Sequence, residues 1–496
     1  MHTEPENPAI SIGHFGNILN NGYLHCKYLR ARGFRADSIN IGYTHCQGQP
    51  EWVEVDLEKP VPEWNADWTK FDLQGFVRPD WYLEILPQRK NQSIFETDSA
   101  LTDIMKTAMR SVYRNTRDNL VNVSKRCNLP TLRDAVIAGD QFLKTQRNFS
   151  QEEIETSRNL VSRFLTEFPD AQRPLKVPEV LNEIQGAAKH RQLLRNYTLA
   201  QGYALEANNI VLAAPSKPFI AYEHGTLRDF PFEDSTRGRL YALATKMAEK
   251  LIITNADCKF SAERLGLKNY QYLPHLVDDQ VFRPRESTVR GKLLTEHNCD
   301  FILLSPARHH WKNCPPGMEN SWLKRNDIMI KGLGAMFRAN PKLRVLVVFF
   351  EWGPEVDLSK ELIREQGFSD RVIWKQMLTK KRLSEYILAA DVILDQFNDG
   401  IGTFGASAAE GLACGKPVLL NYKKEIHQWC FNPLPPLINT PCEDSVADTL
   451  TRLLNDEDYR LGVGQQGYDW YSKHHSSDVV ISRLIDIYRE IGCRVS

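Results

Sequence analysis

The chain has 496 residues, of which 42% are hydrophobic and 25% charged, and its 62 Lys and Arg balance its 62 Asp and Glu. That length suits two or three globular domains with cores that need neither disulfides nor metals. The balanced charge excludes a global basic field for nucleic acid.

The polar, acidic start lacks a basic-then-apolar leader, so no secretory signal is expected. No apolar run is long enough to span a bilayer. The ten cysteines show no Cys-x-x-Cys spacing and read as free thiols of a cytoplasmic protein. The pairs His25-Cys26 and His45-Cys46 match no common zinc module, and no metal is expected.

In chain order, the first expected strand is Ala9–Ile12, followed by the glycine-punctuated loop Gly13–Gly22. A helix Tyr23–Arg32, stopped by Gly33, and a strand Ser38–Ile41 come next. This β-loop-α-β opening is typical of a parallel α/β sheet. Within the loop, Gly16 and Asn17 are the candidates for closest approach to a ligand, while Asn20 and Asn21 can simply cap the helix.

From about Gln92 to Arg195, helical spacing such as Ile104, Met105, Ala108, Met109 and Val112 predicts a helical insertion. Its Lys106, Arg110, Arg114, Arg117, Lys125 and Arg126 read first as a solvated face and second as a peripheral membrane contact with anionic lipid. Strands return at Pro218–Tyr222 and Leu251–Thr254, and the proline-bounded Leu273–Pro284 marks a domain boundary.

The C-terminal half alternates strands (Phe301–Leu304, Val345–Phe350, Val372–Trp374, Val392–Leu394, Pro417–Leu420) with helices at about Asp327–Arg338, Leu358–Gln366, Lys381–Ala390 and Ala406–Ala413. Short apolar strands between helices predict a parallel sheet covered on both faces, with ligands beyond the strand carboxyl ends. The expected domains are 1–284 with its insertion at 92–195, then 285–475. A terminal segment, 476–496 with its helix around Val479–Ile491, would pack back on the first domain.

The chemistry concentrates where Val392–Leu394 runs through Asp395–Gly402 into the helix from Ala406. Gly400, Gly402 and Gly405 permit positive φ and close backbone approach. The free N–H groups at the start of the helix suit a phosphate. Glu410, one turn inside, can accept hydrogen bonds from vicinal hydroxyls such as those of a ribose. On the bland reading, Glu410 is a surface residue and the glycines only make a turn. The apolar flank Leu412–Leu420, which buries the motif, argues for the site.

The run Phe404-Gly405-x4-Glu410-Gly411-x-Ala413-x-Gly415-x-Pro417-Val418 resembles the donor motif of retaining glycosyltransferases of family 4. Four further segments resemble that family in the right order: Tyr222–Thr226, Leu273–Pro284, Ser305–Arg308 and Lys331-Gly332. The resemblance implies an α/β chain of GT-B fold, two Rossmann-like domains whose parallel sheets face a central cleft. It implies transfer of a sugar from a nucleotide-sugar donor, held by the second domain, to an acceptor hydroxyl on a glycan, a lipid-linked or another acceptor. Anomeric configuration would be retained and no metal or cofactor required.

Residue by residue, the resemblance places His224 beside the transferred sugar and gives Arg308 and Lys331 the donor diphosphate. It assigns Glu410 to hydroxyls, and Gly16, Asn17, Ser305, Gly402, Thr403, Phe404, Gly405, Ala406 and Ser407 to the donor's surroundings. Glu223 would orient His224 or pair with Arg228. The family's first motif glutamate falls here on Gly402, so another group, such as Asp399, would replace it. Leu276 stands where glycine is usual, and the longer 309–326 stretch reads as a lid, an acceptor wall or a surface loop. A sugar-nucleotide epimerase and a non-catalytic nucleotide-sugar-binding protein remain as alternatives. For a phosphorylase, no motif requiring pyridoxal phosphate is present.

Overall fold

The computed structural model describes residues 10–85, 149–313 and 323–492. The chain divides into one compact unit of 1–85 with 187–496 and a second of 86–186.

The larger unit contains two parallel sheets. The first comprises β1 (Ser11–Phe15), β2 (Arg35–Ile41), β3 (Tyr82–Ile85), β4 (Leu199–Tyr203), β5 (Phe219–Tyr222), β6 (Lys250–Ile253) and β7 (Tyr270–Tyr272), in the order β3-β2-β1-β4-β5-β6-β7. The second comprises β8 (Phe301–Leu304), β9 (Val345–Phe350), β10 (Val372–Lys375), β11 (Val392–Leu394), β12 (Val418–Leu420) and β13 (Ile438–Asn439), in the order β10-β9-β8-β11-β12-β13. In each, the order reverses beside the first strand, which is the topological switch point of a doubly wound sheet. Strands such as β5 and β9 are buried along their whole length, as helix-covered strands must be.

The expected loop after Ile12 is partly strand: β1 continues through Gly13 to Phe15, with Ile12 opposite Ala36 and Leu199. Glycine is required at 13 because a Cβ there would meet the Tyr197 ring at 2.7 Å. Four strands, β3, β4, β7 and β13, go beyond the sequence expectation.

Two carboxylates fix the crossover between the sheets. Asp278 accepts from Lys27 Nζ at 2.9 Å and Tyr28 Oη at 2.8 Å. Asp279 accepts from Ser477 N and Oγ at 2.7 and 2.6 Å, and from Tyr471. The last helix, Ser477–Glu490, lies against the first domain, where Val480, Ile481, Leu484 and Tyr488 share a core with Tyr23, Leu24 and Leu29.

In the smaller unit the described residues form helices Gln151–Glu167 and Val177–Ile184. The expected insertion ran to Arg195, but helix Ala188–Leu194 belongs to the larger unit. Its buried His190 bonds Glu206 Oε2 at 2.7 Å, which ties it to helix Glu206–Ala213. The six basic residues between 106 and 126 and their helical pattern lie outside the described residues. Among the described residues no helix is long and apolar enough to cross a membrane.

Candidate functional site

The second sheet presents its carboxyl edge through β8 and β11. Beyond β8, Ser305 is buried, and among the described residues its Oγ has no hydrogen-bond partner. Arg308 follows. Its Nη2 donates to His310 Nδ1 at 3.3 Å, and His310 Nε2 donates to the Asn313 carbonyl at 2.7 Å, so a neutral imidazole meets the guanidinium. Among the described residues Arg308 has no ion-pair partner, and burial lowers its pKa.

The lysine beside Arg308 is Lys324, not the expected Lys331. Lys324 donates to Gln396 Oε1 at 2.5 Å and feels the charges of Asp395 and Arg308. Burial pulls its pKa down to about 8. Lys331 is half exposed on helix Asn326–Ala339 and faces Glu443 at 3.8 Å. The adjacent Gly332 is small because Val446 occupies the space beside it, at 2.6 Å from a would-be Cβ. Lys331-Gly332 is thus a helix-packing pair, and the correction has a simple physical reason. The side of the helix that bears these residues meets helix Glu443–Asn455 rather than the cleft.

Beyond β11, buried Asp395 accepts from the Gly405 N–H, and burial raises its pKa to about 6. Gln396 Nε2 donates to the Thr403 carbonyl, closing the loop into a fixed curve. Of the three loop glycines only Gly402 takes a positive φ, +59°. A Cβ there would lie 2.5 Å from Lys423 Cγ, so the space beside Gly402 is filled by the stem of Lys423. Asp399 is largely exposed and lies 3.6 Å from Arg325. Thr403 is buried, and Phe404 turns into the core, stacked on His427 at 5.4 Å.

Helix Ala406–Ala413 begins after Gly405 with no side-chain cap. Its first N–H groups, from Ala406 and Ser407, therefore face outward as a positive dipole end. Glu410 is buried. Its Oε1 accepts from Lys380, and among the described residues its Oε2 has no partner.

The first domain contributes the carboxyl ends of β5 and β6. Glu223 is fully buried; among the described residues it makes no hydrogen bond to His224 and no close ion pair with Arg228, whose charge it nonetheless feels. Its carboxylate accepts from Gly225 N, from Thr254 N and Oγ1 at 3.1 Å, and from Asn255 N at 3.3 Å, locking the ends of β5 and β6 together. Burial raises its pKa. Arg228 pairs instead with Asp257, through Nε at 2.5 Å and Nη2 at 2.9 Å. His224 stacks on His275 at 5.3 Å, burial holds it neutral, and among the described residues its Nε2 has no partner. The fields of Arg228 and Asp257 reach Lys324, so the two sheet edges face each other there.

Gly16 has φ +91° and donates to the Ile39 carbonyl at 2.8 Å. Asn17 is buried, and its amide bonds Asn20 Oδ1, the Gly48 carbonyl and Tyr23 N at 2.9, 2.8 and 2.8 Å. Its side chain shapes the loop rather than facing solvent. The 309–326 stretch is anchored at its start, where Glu355 accepts from the N–H groups of Trp311, Lys312 and Asn313. Residues 314–322 lie outside the described residues. Among the described residues no group of three His, Cys, Asp or Glu is arranged to hold a metal ion.

No family model matches the chain, and no curated protein matches it in sequence. Solved structures do. A glycosyltransferase from Rickettsia africae is similar at TM-score 0.54 and 11% identity, over 98% of this chain and 99% of that one. Sucrose-phosphate synthase from Thermosynechococcus elongatus is similar at 0.53 and 13%, over 97% and 99%. An α,α-trehalose 6-phosphate synthase from Burkholderia multivorans is similar at 0.53 and 13%, over 98% and 100%. At these identities the likeness establishes the fold, two parallel-sheet α/β domains of GT-B type.

Proposed function

We propose that the chain is a GT-B glycosyltransferase that moves a sugar from a nucleotide-sugar to an acceptor hydroxyl. The observation that carries this reading is the pair of cations at the β8–β11 edge. Arg308 and Lys324 are drawn out of water, and their nearest hydrogen-bond partners are neutral. They stand in the same domain as an uncapped helix start and a buried carboxylate oxygen without a partner. A nucleoside diphosphate answers all three: its phosphates meet the cations and amides, and a ribose hydroxyl donates to Glu410 Oε2.

Breaking the sugar–phosphate bond builds negative charge on the leaving diphosphate. Arg308, Lys324 and the N–H groups of Ala406 and Ser407 stabilise that charge from fixed positions. They supply the positive charge that a divalent metal would otherwise bring, so the proposal includes metal independence. On the family 4 resemblance it also includes retention, with His224 beside the sugar and the leaving phosphate assisting the acceptor. A cytoplasmic setting, in contact with a membrane surface where the acceptor is lipid-linked, belongs to the same proposal.

The test is calorimetry with UDP, GDP and ADP, then with their sugars. One nucleotide should bind, and Arg308→Ala and Lys324→Met should each weaken it about 10- to 100-fold, the range for hydrogen bonds to a charged partner. Binding of none of the three, or wild-type affinity in both variants, overturns the reading.

A further inference from the structure

Next to the Gly16 loop, the first domain holds a large aromatic ring half open to solvent. Trp64 is 54% exposed. It sits in an isolated antiparallel bridge to His45, closed by Cys46 N to the Glu63 carbonyl at 2.8 Å and Asn65 N to the Thr44 carbonyl at 2.9 Å. The indole stands edge-to-face on His45 at 4.7 Å and on Tyr43 at 6.2 Å, so its orientation is fixed.

The neighbouring carboxylate is aimed as well. His45 Nδ1 accepts from Gln47 N at 3.1 Å, which leaves Nε2–H to donate to Glu63 Oε1 at 3.2 Å. Burial lowers the pKa of His45 and favours this neutral form. Among the described residues nothing donates to Glu63 Oε2.

The position is at the cleft. Asn17 and Asn20 donate to the carbonyls of Gly48, Gln47 and Gln49 at 2.8 Å, tying the Tyr43–Gln49 segment to the Gly16 loop. The charge of Glu63 reaches Arg308 in the other domain, and Met377 of that domain packs against the Trp52–Trp68 cluster below.

A rigid ring beside an aimed carboxylate matches one chemistry best. A pyranose has an apolar C–H face for the indole and hydroxyl donors at its rim for the carboxylate. A lipid chain would desolvate Glu63 without giving it a donor, and an anionic ligand would be repelled by it. We propose that Trp64 and Glu63 form a saccharide-binding subsite that takes a neutral pyranose unit of a glycan acceptor. The inference rests on the transferase reading and names its acceptor class.

The probes are maltotetraose, cellotetraose, chitotetraose and mannotriose, measured by saturation-transfer NMR and tryptophan fluorescence, with nucleotide binding measured on the same proteins. At least one saccharide should bind the wild type. Trp64→Ala should weaken it about tenfold or more, the scale of an aromatic anchor. Trp64→Phe should restore most of that loss, and Glu63→Gln should weaken binding less. Nucleotide affinity should not change in Trp64→Ala or Trp64→Phe. Binding of no saccharide, equal binding by Trp64→Ala, or binding of decyl maltoside micelles through their alkyl chains alone overturns the subsite. Failure of the wild type to bind nucleotide would overturn the transferase reading separately.

Discussion

Gly402 allows a direct experiment, because two separable costs meet at one residue. Replacing it with alanine forces a Cβ into the left-handed region at φ +59°, worth about 1–2 kcal/mol. The same Cβ meets Lys423 Cγ, Cδ and Cβ at 2.5, 2.8 and 2.9 Å, and such overpacking costs about 1–3 kcal/mol. Gly402→Ala should therefore destabilise the protein by about 2–5 kcal/mol in urea denaturation, the sum of those two ranges. Gly402→Glu should do at least as much and should not strengthen donor binding. Lys423→Ala removes the two nearest contacts but not the backbone strain. In a double-mutant cycle the pair should show a rescuing coupling of about 0.5–3 kcal/mol. Zero coupling would refute the steric account. A loss below about 0.5 kcal/mol for Gly402→Ala would refute both costs.

Two further predictions concern buried charge. Burial pulls the Lys324 pKa down to about 8, and an anion beside it favours the protonated form. Nucleoside diphosphate binding should therefore take up protons when measured slightly above that pH in buffers of different ionisation enthalpy, and affinity should fall as pH rises further. Lys324→Met should abolish the uptake; uptake persisting in that variant assigns it to another group. Glu223→Ala leaves the N–H groups of Gly225, Thr254 and Asn255 without their acceptor. It should cost about 2–5 kcal/mol of stability, with Glu223→Gln milder, and a loss under about 0.5 kcal/mol by urea denaturation would show that the lock is unimportant.

The second sheet was legible because β8, β9, β11 and β12 are short apolar runs that no other element type explains as well. The strands that were missed carry polar or edge residues. β4 reads Leu-Ala-Gln-Gly-Tyr, and its Gln201 is buried only because it bonds Tyr203 Oη and Tyr488 Oη at 2.8 and 2.9 Å. β7 is a three-residue edge strand with two of its residues half buried. Glu410 stood out in the sequence because it lies inside a motif at fixed spacing, and the structure buries it. Lys324 was not: it precedes the helix, and its neighbour Arg325 takes φ +53°, a conformation that side-chain identity does not announce. The Lys331-Gly332 dipeptide carried the stronger local signal, and only the position of Val446 shows what that glycine is for. For Glu223 the sequence left two roles open, and that Arg228 takes Asp257, 29 residues on, is a tertiary choice.

The cations divide more sharply by their pairing than by their burial. Arg228 has Asp257 and Arg290 has Asp391, each through two guanidinium nitrogens, and Lys380 has Glu410. Each of these ties together elements whose charges cancel on folding. The chain has as many acidic as basic residues, so lack of carboxylates does not explain why Arg308 and Lys324 are left with His310 and Gln396 as hydrogen-bond partners. A buried cation without such a partner is costly in the free protein. Its arrangement is self-consistent once an anion enters, because the binding free energy then includes relief of that cost. On the proposed reading, the two cations whose hydrogen-bond partners are neutral are thus expected to contribute to a filled site.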